Sequence, residues 1–162
     1  MSNYNIKVVI NHPLERTFKV FIDLNKREIP KFNDKDPVGC SNKRTIKYVA
    51  KQKIEMITTV TGYEKNKLYE VTNTINEDSY ISRYEFSEID ENTTEIYLSE
   101  MQNVKGFTSW ITLLFEKLSA KKKLKNKANN IKEVIESEVE RRDKGSKKLE
   151  ETDDNINEMN LE

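Results

Sequence analysis

The sequence predicts an α+β fold in which an antiparallel sheet is covered by one long C-terminal α-helix. Three observations predict it. Apolar residues recur every three or four positions across residues 107–145, the repeat of an amphipathic helix. Between Lys43 and Val104 apolar and polar residues alternate instead, with turn residues about every ten to fifteen positions, the pattern of an antiparallel meander. A first strand and two short helical stretches precede the meander.

Taken in order, Tyr4, Ile6, Val8 and Ile10 alternate with polar residues as a strand. His12-Pro13-Leu14-Glu15 reads as a helix start: proline suits the first helical position, and Glu15 sits where a carboxylate can answer a free amide. Leu14, Phe18, Phe21 and Ile22 continue at helical spacing. Ile29 and Phe32 around Pro30 suggest a short second helix, and residues 33–39 are loop chemistry. Strands are then expected near Ile46–Val49, over 54–63, and around Tyr69–Ile75, Tyr80–Phe86 and Ile96–Leu98, about six in all with the first. Turns fall at 64–67, 76–78 and 90–92. An antiparallel sheet tolerates one wet face and requires one covered face, and the long helix supplies the cover. That helix, uninterrupted by Pro or Gly from Phe107 to Lys144, would span roughly 55 Å. Leu124, Ala128, Ile131, Val134, Ile135 and Val139 mark its second half, and Gly145 reads as its stop.

At 162 residues with equal numbers of acidic and basic side chains, the chain is expected to form one domain over residues 1–145. The acidic stretch 146–162 holds two lysines against six carboxylates, net −4, and is expected to be a disordered tail. No apolar run approaches a membrane span, and no leader is read, so the cytoplasm is the expected compartment. One cysteine, Cys40, excludes an internal disulfide and reads as a buried or idle thiol rather than a nucleophile. The single histidine, His12, reads as a capping residue at the strand–helix junction rather than a general base. Four glycines, at 39, 62, 106 and 145, are too scattered for a phosphate cradle, and no metal or cofactor motif is present. Glu55, Glu70, Arg83 and Glu85 read as cross-strand pairs on the wet face.

Three stretches carry a likeness to a known superfamily. Ile10-Asn-His-Pro-Leu-Glu-Arg-Thr-Phe18 is similar to an opening strand running into a helix. Val60-Thr-Gly-Tyr-Glu-Lys-Asn-Lys-Leu-Tyr69 is similar to a strand–turn–strand unit, here without its usual proline. Phe86 to Leu98, followed by the amphipathic helix, is the third. Together they make the chain resemble the START-like or SRPBCC superfamily, whose archetype is the birch-pollen allergen fold, over about residues 3–140, and especially its small single-domain members from low-GC Gram-positive bacteria. The superfamily's usual seven strands are not all visible; six are counted, and the region 38–50 departs from the pattern.

What this resemblance implies is a helix-grip fold: the sheet curves around the long helix and leaves a cavity for a small hydrophobic or amphipathic ligand. With the alternation in register, Met56, Thr58, Val60, Tyr69, Val71, Asn73, Tyr80, Ser82, Tyr84, Phe86, Ile96 and Leu98 would line the sheet side. Trp110, Leu114 and Leu118 would face them from the helix. Such pockets hold roughly 300–1,000 Å³. Asn73 and Ser82 would meet a polar part of the ligand, or satisfy a bulge or each other. No catalytic constellation can be named, so the reading leans towards binding, with cyclase- or isomerase-type chemistry left open. Two alternatives stand beside it. One is a protein-docking module of the kind that relatives use to stimulate a chaperone. The other is an anionic surface contact through Lys121, Lys122, Lys123, Lys125 and Lys127. Nucleic acid is disfavoured because that run lacks arginines and aromatics.

Overall fold

The structure, a computed structural model, describes residues 2–105 and 120–159. Six strands form one antiparallel sheet: β1 (Ser2–Ile10), β2 (Ser41–Val49), β3 (Gln52–Glu64), β4 (Leu68–Ile75), β5 (Asp78–Asp90) and β6 (Thr93–Asn103), in the order β1-β6-β5-β4-β3-β2. Helix α1 (Leu14–Lys26) follows β1, and helix α2 (Ala120–Met159) closes the chain. The expected α+β architecture and strand count are both found.

The turns fall where the sequence places them, and Asn66 and Asn76 take the left-handed conformation there (φ 59° and 53°), which asparagine tolerates better than most residues. The β2–β3 turn instead uses Ala50 and Lys51 at φ 46° and 68°. Gly39, at φ 89°, makes the backbone reversal that leads into β2, a conformation glycine adopts without a Cβ penalty.

Two expectations about the extent of the helices are corrected. Where a second short helix was expected around Pro30, the chain makes consecutive turns: Glu28 and Ile29 N–H donate to Asn25 and Lys26 carbonyls, and Phe32 N–H to Ile29. The proline, having no N–H, prevents the fourth-residue ladder from continuing. The long helix does not stop at Gly145 but runs to Met159; a Cβ at Gly145 would meet nothing within 4 Å. The first part of the stripe expected over 107–145, with Trp110, Leu114 and Leu118, lies outside the described residues.

The core lies between the concave face of the sheet and the two helices. Phe18 and Phe21 of α1 pack edge-on against Phe86 at 5.0 and 5.1 Å between ring centroids. Phe21 also meets Tyr69 and Tyr84. From α2, Leu124, Ala128, Ile135 and Val139 are buried in the same cluster as Val8, Ile10, Ile96 and Leu98, and Ile131 packs half-buried against it. Val134, the remaining member of the predicted stripe, is exposed. Helix α2 is also bound to α1 by charge: Arg142 bridges Asp23 and Glu138 at 2.9 Å each, and Arg16 pairs with Asp143. The junction between β1 and α1 is stapled by the main chain of His12, whose carbonyl accepts hydrogen bonds from Thr17 Oγ1 (3.2 Å) and Thr94 Oγ1 (2.8 Å). No side chain caps α1, so the capping role expected of the His12 imidazole, and the amide answer expected of Glu15, are not found.

Candidate functional site

The register of the sheet decides which side chains can meet a ligand, because cross-strand partners share a face. Thr58 pairs with Asn73, Val60 with Val71, and Tyr63 with Tyr69 across a bulge between Val60 and Gly62. Tyr69 pairs with Tyr84, Val71 with Ser82 and Asn73 with Tyr80. Tyr84, Phe86 and Ser82 then pair with Leu98, Ile96 and Glu100. All twelve sheet residues read as cavity-facing therefore lie on one face, the concave one. They divide by environment. Val60, Tyr69, Tyr84, Phe86, Ile96 and Leu98 are buried in the main core. Met56 and Tyr80 pack with Ile54 and Ile75 in a smaller apolar cluster under the end of β2 and β3.

Thr58, Tyr69, Val71 and Asn73 line an open cleft of about 260 Å³ together with Asn25, Glu28, Ile29 and Arg44. The volume falls just below the span expected of the pocket. Its floor is aromatic and aliphatic; its sides are polar. Thr58 Oγ1 donates to Asn73 Oδ1 at 2.6 Å, which leaves the Asn73 amide nitrogen as a donor at the cleft. Asn25 spends its amide nitrogen on the Phe21 carbonyl at 2.8 Å, which leaves its oxygen as an acceptor. Arg44 and Glu28 pair at 3.0 Å on the rim. Burial holds the Tyr69 phenol well above its ordinary range, so it stays neutral.

One strand further along the same face stands a polar cluster that the sequence reading did not assemble. Lys127 reaches from α2 to Glu100 Oε1 at 2.5 Å and Ser82 Oγ at 3.0 Å. Its ammonium lies 5.7 and 5.5 Å from the ring centroids of Tyr80 and Tyr84, within cation–π range. Glu100 and Ser82 are both buried, at 7% and 2% exposure. Burial alone would lower the Lys127 pKa; Tyr84 and Glu100 outweigh it, and the net direction is upward. The Tyr80 phenol is pushed up by burial first and then by the Glu100 charge. The cluster is thus a charged ammonium held by a carboxylate, a hydroxyl and two aromatic faces. This also corrects the place of Lys127, which was grouped with an exposed lysine surface and instead turns inward. Lys121 and Lys125 remain exposed.

A second hollow, about 340 Å³, lies between α1 and the β3–β4 turn, with Phe18, Ile22 and Tyr63 beneath Lys19, Lys26, Lys65 and Asp34. On the opposite face of the sheet, Arg83 pairs with Glu70 (3.0 Å) and Glu85 (3.3 Å), and Glu55 with Lys43 and Lys53. Arg83–Glu70 and Lys43–Glu55 cross between strands, as the sequence suggested, whereas Arg83–Glu85 and Lys53–Glu55 lie within one strand. Cys40 is structural: its Sγ accepts from the Asn33 amide at 3.3 Å and donates to the Asp36 carbonyl at 3.6 Å. Among the described residues no group of three His, Cys, Asp or Glu side chains is placed to hold a metal ion, and no helix is long and apolar enough to cross a membrane.

The architecture is shared with solved structures of low sequence identity. The crystal structure of Ara h 8.0201, a protein of the birch-pollen-allergen type, aligns with a TM-score of 0.55 at 14% identity, covering 85% of this chain and 97% of that one. The TTHA0849 protein of Thermus thermophilus aligns with a TM-score of 0.55 at 14% identity over 84% and 98% of the two chains. The Mll3558 protein of Rhizobium loti gives 0.53 at 11% identity over 85% and 96%. These likenesses establish the helix-grip fold and nothing finer. No curated protein matches the sequence. A family model does, over residues 4–131, a span that takes in all but the first two residues of the sheet, α1, the cleft and Lys127. The chain therefore belongs to the DUF3284 family, a domain of unknown function, built on the helix-grip fold.

Proposed function

We propose that this chain binds a small, largely apolar ligand with a polar end on the concave face of the sheet, in the cleft beside the end of α1. The observation that carries the reading is the cleft floored by Tyr69, Val71 and Ile29 and edged by Asn25, Asn73 and Thr58. An apolar floor with a few placed donors and acceptors is the make-up of a small-molecule site. The Lys127–Glu100–Ser82 cluster on the same face supports it with a second polar point. Residues 1–145 are the working domain in this reading, with 146–162 an acidic appendage. The proposed setting is the cytoplasm of a bacterium, in keeping with the chain's wealth of lysine, asparagine and isoleucine. Binding without turnover is the reading we adopt. The docking-module alternative draws no specific support from the geometry. The surface formed by Lys121, Lys122, Lys123 and Lys125 is weakened by the withdrawal of Lys127 into the interior.

The test is a thermal-shift screen of the full chain against alkanols, fatty acids and small aromatic ketones, with native mass spectrometry of the purified protein. At least one compound is expected to raise the melting temperature by several degrees at a hundredfold excess over Kd. Val71→Trp, which fills the cleft, is expected to abolish that shift while keeping a cooperative melt. A melt that no compound moves, together with a spectrum of the bare chain alone, would sink the proposal.

A further inference from the structure

Strands β2 and β3 form an arm that outruns the rest of the sheet. Pairing of β3 with β4 begins at Ile57 and Thr74, so residues 52–56 of β3 pair with β2 alone. The arm is held by an apolar underside, where Ile46, Val49 and Met56 pack around Ile54 and Ile75. Its tip is the tight Ala50–Lys51 turn, and beside the turn Tyr48 is 69% exposed, the most exposed large apolar side chain of those on the surface.

The charge of the arm is one-sided. Residues 41–54 carry Lys43, Arg44, Lys47, Lys51 and Lys53 and no carboxylate. Glu55 answers both Lys43 and Lys53, and Glu28 answers Arg44. Lys47 and Lys51 have no ion pair among the described residues. A projecting tip with surplus lysines at its turn and on one face, and a solvent-facing tyrosine on the other, matches the make-up of segments that rest on an anionic membrane. There basic side chains meet lipid headgroups, and an amphipathic ring sits at the interface. A nucleic-acid surface would call for stacked aromatics or free arginine forks. The arm has one tyrosine, and its one arginine is tied to Glu28.

We infer that the β2–β3 arm, through Tyr48, Lys47 and Lys51, docks this protein on the anionic headgroups of a phospholipid bilayer. Arg44 and Thr58, from the same two strands, line the cleft, so the arm that docks also carries part of the cleft's rim. The meaning of that link rests on the ligand reading above; the membrane contact does not. The two fail separately, because vesicle binding is measured without any cleft ligand.

The experiment is co-sedimentation of the full chain with vesicles of phosphatidylcholine containing about one-third phosphatidylglycerol, against phosphatidylcholine alone, at low and physiological salt. Binding is expected to the anionic vesicles only and to fall as salt rises. K47Q/K51Q is expected to weaken it roughly thirtyfold, on the basis of about 1 kcal/mol for each lysine at a charged surface. Y48S should weaken it further, both variants keeping the wild-type melting temperature. Any of four outcomes overturns the inference: equal binding to neutral vesicles, wild-type binding by K47Q/K51Q, loss of binding in a Lys121, Lys122, Lys123 and Lys125 to Gln variant but not in the arm variants, or tighter binding to duplex DNA than to anionic vesicles.

Discussion

Lys127 and Glu100 show what a single pair of charges does inside this fold. Each sits at a position that the apolar period assigns to the interior. Glu100 comes two residues after Leu98 on β6, and Lys127 three after Leu124 on α2. An ion pair so placed is costly to break because the survivor is left without compensation. Lys127→Met is expected to destabilise the protein by about 3 kcal/mol, the low end for such pairs because the lysine side chain keeps a third of its exposure. Adding Glu100→Gln should recover most of that loss, and urea melts of the two single variants and the double variant would measure the coupling. Independent, additive losses would show that the two residues do not act as a pair. The pair was legible in principle, since a charge at an apolar-periodic position occurs on both elements. Neither position alone says that the other lies opposite, because only the sheet register and the helix placement bring them together.

At the scale of elements, the β-meander was the most readable part of the chain. A two-residue period with Asn-containing turns places each strand and its face, although β2 and β6 extend several residues beyond the expected stretches. A slip of one residue would have turned every cavity residue outward. Helix ends were the least readable. Gly145 looked like a stop because glycine often ends helices, yet without a left-handed backbone there it is simply a weak helical residue. Gly145→Ala is therefore expected to stabilise α2 by about 1 kcal/mol and raise the helical circular-dichroism signal. A loss of stability instead would restore Gly145 as a cap. The hold of α2 on α1 also carries a pH signature. Hydrogen bonds from Arg141 and Arg142 lower the Glu138 carboxyl from its ordinary 4.5 to about 2. A carboxylate lowered in the folded state adds stability above its unfolded pKa and loses it as pH falls through the folded one. Melting temperature is accordingly expected to drop between about pH 4.5 and pH 2, and R141Q/R142Q should shed part of that drop. An identical acid profile in the variant would remove Glu138 from the account.

At the scale of the molecule, the order β1-β6-β5-β4-β3-β2 was not legible in the local pattern. Period and turn chemistry report neighbours in sequence, whereas β1 lies beside the last strand, Ser2 opposite Gln102. The cleft was legible as a face but not as a volume, since the packing of Asn25, Glu28 and Arg44 around it depends on how α1 and β2 approach the sheet. The pairing of first strand with last has a consequence for how the protein is made. Five strands can zip together from hairpins as they leave the ribosome, each closing a short loop. The opening strand must wait until nearly the entire sheet has been synthesised, and it is also the strand against which α2 packs. Long-range closure of this kind is the slow step of folding. The nascent chain thus carries a completed meander with a bare β6 edge, awaiting a segment that was translated well before it.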